Sequence, residues 1–376
     1  MIEQTLPTRI QRWDNPESVR IRKYLTGTNL LVDAVNVDVG TSPKSVTWSR
    51  GKARLYRFTG NGEDRYGVPL LIVYALILRP YILDLVAGRS VVQEFVQQGF
   101  DVYQLDWGIP DEADDDLGFE DYVLDVLAGA VEAVLDGSSA SQLSLLGHCQ
   151  GGTLAAMFAA LEPQLVRNLV LLGAPIDFAP NPPGLMGTWT LWTRQNLPQP
   201  EWLIGPIGGL MPADVPTRIT QAATQLLASP SGVNDALTAL RDRLSSDEEI
   251  RAWLGVCRWV DDSVPLTGRM FRQWTRWFYH DNRLISGGLQ LRDRHVDLSR
   301  AAANLLTIAA TLDAITPLPQ ARTAPTHLAS PDAESLIVEG AGHVGLVVGP
   351  TARDEVWRPA IEWLADRSDD GRKDGG

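Results

Sequence analysis

One stretch of the chain joins a nucleophile to the small residues needed to expose it: Gly147-His148-Cys149-Gln150-Gly151-Gly152. Glycines two before and two after a nucleophile remove side-chain clashes from a sharp strand-to-helix turn. A thiol there faces a helix N-terminus, where amide dipoles favour negative charge. Thiols attack readily near neutral pH, and the thioester formed stays reactive toward a second nucleophile. That chemistry suits acyl transfer better than plain hydrolysis. The other cysteine, Cys257, sits in a helical stretch between Trp253 and Trp259 and reads as a core residue.

A base and an orienting acid should follow such a nucleophile, in the order acid, then histidine. His343 lies in Gly340-Ala341-Gly342-His343-Val344-Gly345, a glycine-flanked loop after the last expected strand. His280, His295 and His327 sit in polar contexts and read as surface or structural residues. His148 abuts the nucleophile and is expected to point away from it. Asp313 ends a strand and leads into a Pro-containing loop, which makes it the acid. Asp106 also ends a strand, but it precedes the nucleophile and is the runner-up. An oxyanion hole needs two backbone N–H groups. Gln150 supplies one. The loop Arg79-Pro80-Tyr81 supplies the other from Arg79 or Tyr81, since Pro80 has no N–H; Tyr81 is our choice.

The elements that must hold these residues alternate. Pro69 to Leu78 is a continuous apolar run, as in a strand buried on both faces of a parallel sheet. A helical pattern on Val91, Val92, Phe95 and Val96 ends at Gly99, and a strand follows over 100–105. A helix over 119–135 leads to a strand at 143–146, the cysteine turn, a small-residue helix and a strand at 169–172. Later strands are expected at 305–310 and 335–338, then a helix over 353–364. An earlier antiparallel strand is expected over 48–58, with turn residues at Gly60, Asn61 and Gly62. Repeated strand-helix-strand units imply a mostly parallel sheet. With the nucleophile turn, they make this an α/β chain of the α/β-hydrolase fold. Residues 1–177 form the first part of the core, 178–302 an inserted, largely helical cap, and 303–366 the second part. Residues 367–376 read as a disordered tail.

The chain has 376 residues, 44% of them hydrophobic, and a formal net charge of -13. That charge excludes nucleic acid as a partner. The run Asp111 to Asp116 reads as a solvated turn. Two cysteines give no disulfide framework and point to a reducing compartment. The N-terminus lacks the apolar stretch of a secretory signal. The longest apolar run, Val68 to Leu78, is well short of the roughly 20 residues that span a bilayer. A soluble cytoplasmic protein is expected. No histidine or cysteine cluster has metal-ligand spacing, and no glycine loop is built to cradle phosphate.

Several separated motifs, in order, resemble poly(3-hydroxyalkanoate) synthases. They are the cysteine box at 147–152, the segment Arg79 to Leu85, Asp106-Trp107-Gly108, Val166 to Leu169 and Pro175 to Phe178. Phe278-Tyr279 with Asn282, Gly287-Gly288, Val296 to Leu298 and Gly342 to Gly345 continue the series. The similarity runs over about residues 46–365, and the length resembles the two-subunit, class III-like kind. The resemblance implies that (R)-3-hydroxyacyl-CoA loads its acyl group onto Cys149, releases CoA and extends a polyester chain, with no cofactor beyond the CoA thioester substrate. It implies His343 as base, and Asp313 acting on the incoming 3-hydroxyl or orienting His343. It further implies a homodimer, a second synthase subunit and residence on polyester granules. Ala314 departs from the pattern, which has His after the catalytic Asp. Two other readings stay open: a thioesterase or hydrolase using Cys149, and an inactive granule-associated homologue.

Seven of the twelve Trp lie in the insertion: Trp189, Trp192, Trp202, Trp253, Trp259, Trp274 and Trp277. They form a cap core or an apolar lining for the acyl chain. Leu203 to Met211 is the candidate mobile lid.

Overall fold

Runs of Leu, Ile and Val without polar interruption form the centre of one sheet. The computed structural model describes residues 37–60, 66–179, 247–262 and 264–368. The sheet holds β1 (Lys44–Arg50), β2 (Ala53–Phe58), β3 (Leu70–Val73), β4 (Val102–Asp106), β5 (Leu143–His148), β6 (Val166–Leu172), β7 (Asn304–Ala310) and β8 (Ala333–Val338). Their spatial order is β1-β2-β4-β3-β5-β6-β7-β8. β1, β2 and β4 pair antiparallel; every pairing from β4 through β3 to β8 is parallel. Successive β3 residues bury on opposite faces: Leu70 and Ile72 in one core, Leu71 and Val73 in the other. That two-sided burial explains the missing alternation.

Helices cover both faces. α1 (Val91–Gln97) links β3 to β4 and is capped by Ser90, whose side chain accepts from Gln93 N. A helical stretch starts at Phe119–Asp121, passes through a π turn at Tyr122–Leu127 and continues as α2 (Ala128–Ser138). It ends where Ser139 turns left-handed. α3 (Gln150–Leu161) follows the cysteine and is buried at every position. Later come α4 (Asp247–Asp261), α5 (Gly268–Gln273), which runs into a π turn at Trp274–His280, and α6 (Arg358–Ser368). No helix among the described residues is long and apolar enough to cross a membrane.

The expected strand over 48–58 is a hairpin of β1 and β2, reversed at Gly51, whose φ is +55°. The apolar run from Pro69 to Leu78 is a strand only as far as Val73. Beyond it the backbone bonds to side chains and distant loops: Trp107 Nε1 donates to Tyr74 O, Leu76 N to Gln150 Oε1, and Val264 N to Ile77 O. Apolarity there reports burial under other elements, not strand length. The acidic run at 111–116 does more than face water. Asp111 caps its own turn, and Asp115 accepts the amide of Gly268 at the start of α5. The last helix reaches Ser368, two residues into the expected tail. Arg367 holds it through Asp332 and Glu334 and lies over the Trp363 ring.

Of the expected insertion, residues 180–246 lie outside the described residues, with Trp189, Trp192, Trp202 and the candidate lid 203–211. The described part joins the two cores. Trp253 and Trp259 enter one, and Met270, Phe278 and Tyr279 the other. Trp274 stacks on Phe119. For Cys257 only the position in α4 is described.

A buried amide ties the ends of three parallel strands together. Asn168 on β6 donates to Ser144 Oγ on β5 at 2.9 Å and accepts from Asn304 Nδ2 on β7 at 2.8 Å. It also reaches Arg367 O in α6. Asn168→Ala strands these partners and is expected to lower unfolding free energy by about 1–3 kcal/mol in urea titrations. An unchanged urea midpoint would show that the sheet end does not depend on this network.

Candidate active site

β5 delivers the chain to the cysteine in an unusual conformation. Cys149 has φ 54° and ψ -129°, outside the ordinary regions for a residue with a side chain. Its amide donates to Leu172 O on β6, and its carbonyl accepts from Gly152 N. The neighbouring glycines make the turn possible. A Cβ at Gly147 would lie 2.3 Å from Gly152 Cα, and one at Gly151 would lie 2.3 Å from Val73 O. The elbow packs backbone against backbone, so no side chain fits at either position.

The loops after β7 and β8 bring an acid and a histidine together. Asp313 Oδ2 lies 2.7 Å from His343 Nδ1. Its other oxygen accepts the amides of Ile315 and Thr316, at 2.8 and 2.7 Å. Both carboxylate oxygens are thus committed, and the side chain has no solvent exposure. Gly173, with φ +53°, leaves room for the ring: a Cβ there would sit 3.3 Å from His343 Cε1 and Nδ1. Cys149 lies close enough to act electrostatically on His343. Burial opposes charge on His343, but the charges of Asp313 and Cys149 outweigh it and hold the imidazole well above its ordinary 6.5. The three residues singled out from sequence therefore meet at the carboxyl end of the sheet.

The other sequence candidates fall elsewhere. Asp106 pairs with Arg79 at 3.0 Å and accepts Gly108 N, which commits both its oxygens away from His343. His280 bonds Asp281, and His295 bonds Gly287 O. His327 ends a short helix, Ala324–His327. Gln150 opens α3, and its side chain accepts Leu76 N. Tyr81 lies in the 3-10 turn Pro80–Leu83 and donates its hydroxyl to Asp262. No described contact joins its N–H to Cys149. The segment that packs against the elbow is Val73 to Leu76. Sequence reasoning gave no site role to Tyr74 or Tyr279. Burial, and then the Cys149 charge, pushes both hydroxyls upward. His148, expected to point away from Cys149, lies against His343, with ring centroids 4.9 Å apart.

This strand order, with a strained nucleophile on the β5–α3 turn and an acid–histidine pair after β7 and β8, defines an α/β hydrolase-type protein. Residues 68–350 match the family model of the alpha/beta hydrolase fold. Epoxide hydrolase A from Mycobacterium thermoresistibile shares that fold at TM-score 0.51 and 15% identity, covering 86% of this chain and 98% of its own. Nearer relatives are poly(3-hydroxyalkanoate) polymerase subunits PhaC. That of Allochromatium vinosum is 33% identical over 92% of this chain and 95% of its own length. That of Haloferax mediterranei is 33% identical over 89% of this chain, which spans 66% of the relative's length. The chain belongs to the poly(3-hydroxyalkanoate) polymerase PhaC family within the α/β hydrolases.

Folding raises the His343 imidazole above its unfolded value. Protonation of this ring stabilises the fold below about pH 6.5, and that contribution is lost as the pH rises through the raised value. Asp313→Asn keeps an oxygen for the Ile315 and Thr316 amides but turns an NH2 group toward Nδ1. Alkylation of Cys149 by iodoacetamide near neutral pH is expected to slow at least about tenfold. An unchanged rate would remove Asp313 from the site. The urea midpoints of wild type and variant are expected to differ most below about pH 6.5 and to converge as pH rises.

Proposed function

We propose that this chain polymerises (R)-3-hydroxyacyl groups from CoA thioesters into poly(3-hydroxyalkanoate), with Cys149 carrying the acyl group. The observation that carries this reading is the strained Cys149 set against the His343–Asp313 pair. The match along 95% of the Allochromatium vinosum polymerase subunit supports it.

The chemistry balances with these residues alone. His343 takes the Cys149 Sγ proton, and the sulfur attacks the thioester carbonyl. The C–S bond to CoA breaks, and His343 returns the proton to the departing CoA sulfur. The acyl group now sits on Cys149 as a thioester. A 3-hydroxyl then attacks that carbonyl, His343 takes the hydroxyl proton, and a C–O ester bond forms. The Cys149–acyl bond breaks, and His343 returns the proton to Sγ. Gln150 N–H, at the start of α3, stabilises the oxyanion that develops in both steps. Asp313 orients His343 rather than meeting the hydroxyl, because both its oxygens are already bonded. Ala314 does not enter this set.

The cycle calls for no cofactor beyond the CoA thioester. A second synthase subunit, a homodimer and attachment to polyester granules belong to the same reading; the word subunit in the relatives' names supports the first.

The test is CoA release from (R)-3-hydroxybutyryl-CoA by the purified chain, with polymer assayed in the same tubes and Cys149→Ala alongside. Release with polyester is expected, and the variant is expected to lose both by at least about a thousandfold. Release without polyester would replace the polymerase by a thioesterase. Release that survives in Cys149→Ala would remove the cysteine from the mechanism.

A further inference from the structure

β5 ends on a second histidine that the acyl transfer above does not use. His148 is 2% exposed, and among the described residues neither ring nitrogen has a hydrogen-bond partner. Its ring stacks on Tyr74 at 4.9 Å with an interplanar angle of 5°. His343 lies 4.9 Å away at 49°. A phenyl ring would fill the same space without burying two unpartnered nitrogens, which is costly. The nitrogens therefore call for a role.

The groups around this ring define one. Tyr74 faces it from the segment after β3, and Cys149 follows it in the chain. His343 faces it from the loop after β8, with Asp313 behind, from the loop after β7. Tyr279, in the π turn after α5, has its hydroxyl pushed upward by burial and then by the Cys149 charge. Two imidazoles in contact do not both hold a proton easily. Burial, and then the His343 charge, shifts His148 toward its neutral form, while the charges of Asp313 and Cys149 shift His343 toward its protonated form. A neutral imidazole presents one N–H and one lone pair.

We propose that His148 is a positioning residue: its uncharged ring braces His343 and offers a nitrogen lone pair to the imidazolium that His343 becomes when it takes the Cys149 proton. The proposal rests on Cys149 and His343 being the reacting pair. Without that lone pair the imidazolium is less stable, and less thiolate forms at a given acid pH.

The experiment follows alkylation of Cys149 by iodoacetamide against pH in the full chain, with Cys149→Ala as background. This readout needs the cysteine–histidine pair but no acyl substrate. His148→Phe fills the space without a lone pair; His148→Gln restores an acceptor. In His148→Phe the acid limb of the profile is expected to move up by about one pH unit, making alkylation about tenfold slower near pH 6. His148→Gln is expected to bring the limb back toward wild type. An unmoved limb in His148→Phe, or the same shift in both variants, would reduce His148 to packing. If His343→Ala leaves the wild-type profile unchanged, the reacting pair itself is wrong. A second measurement uses the unaltered protein. Nitrogen-15 spectra of its histidines are expected to show His148 neutral and His343 charged near pH 7; a charged His148 there would overturn the proposal.

Discussion

Everything at this site depends on how closely three stretches of backbone approach one another around Cys149. β5 arrives, α3 departs, and the carbonyls of Val73 and Tyr74 lie where a Cβ on Gly151 would otherwise be. The approach forces the cysteine to a positive φ, a conformation that costs of order 1–3 kcal/mol. Packing holds it there: α3 is buried at every position, and the Cys149 amide is anchored to β6. The strain is local, and the support is the whole sheet. This is why so large a parallel core serves one sulfur atom.

The parallel sheet also explains how residues far apart in sequence meet. Cys149, Asp313 and His343 each follow a strand at its carboxyl end, and adjacent parallel strands put those ends on one edge. β5, β6 and β7 are consecutive neighbours, and β8 completes the edge. Gly173, after β6, contributes only the space that the His343 ring occupies. Asn168 pins the opposite ends of the same strands. One network therefore holds the sheet while the other edge carries the chemistry.

Much of this was legible in the sequence, for identifiable reasons. The glycine spacing around Cys149 reports a steric demand that few other turns make. The glycines around His343 and the strand-end place of Asp313 are likewise local signals. The length of β3 was not legible. Tyr74 to Leu78 is as apolar as the strand before it, because burial under Trp107, Gln150 and Val264 demands the same residues as burial in a sheet. That ambiguity hides the segment against the elbow. The loop Arg79-Pro80-Tyr81 is likewise held by distant partners: Trp259 bonds Arg79 O, and Tyr81 bonds Asp262. Such contacts between distant segments leave no trace in local periodicity. Nor did the place of His148 against His343, which requires the β5 end and the loop after β8 to be set side by side.

The burial of His343 has a consequence for where protons travel. A base with almost no solvent exposure does not exchange its proton freely with bulk water. On the proposed mechanism, what it takes from one reactant it gives to another within the same turnover, so each half of the cycle is internally neutral. On that mechanism, exchange with the solvent runs through the space at the partly exposed Cys149 that a bound acyl chain would fill. Hydrogen isotope in the medium would enter this site only in the intervals when that space is empty, so the isotopic history of the sulfur proton would record how continuously the site is occupied.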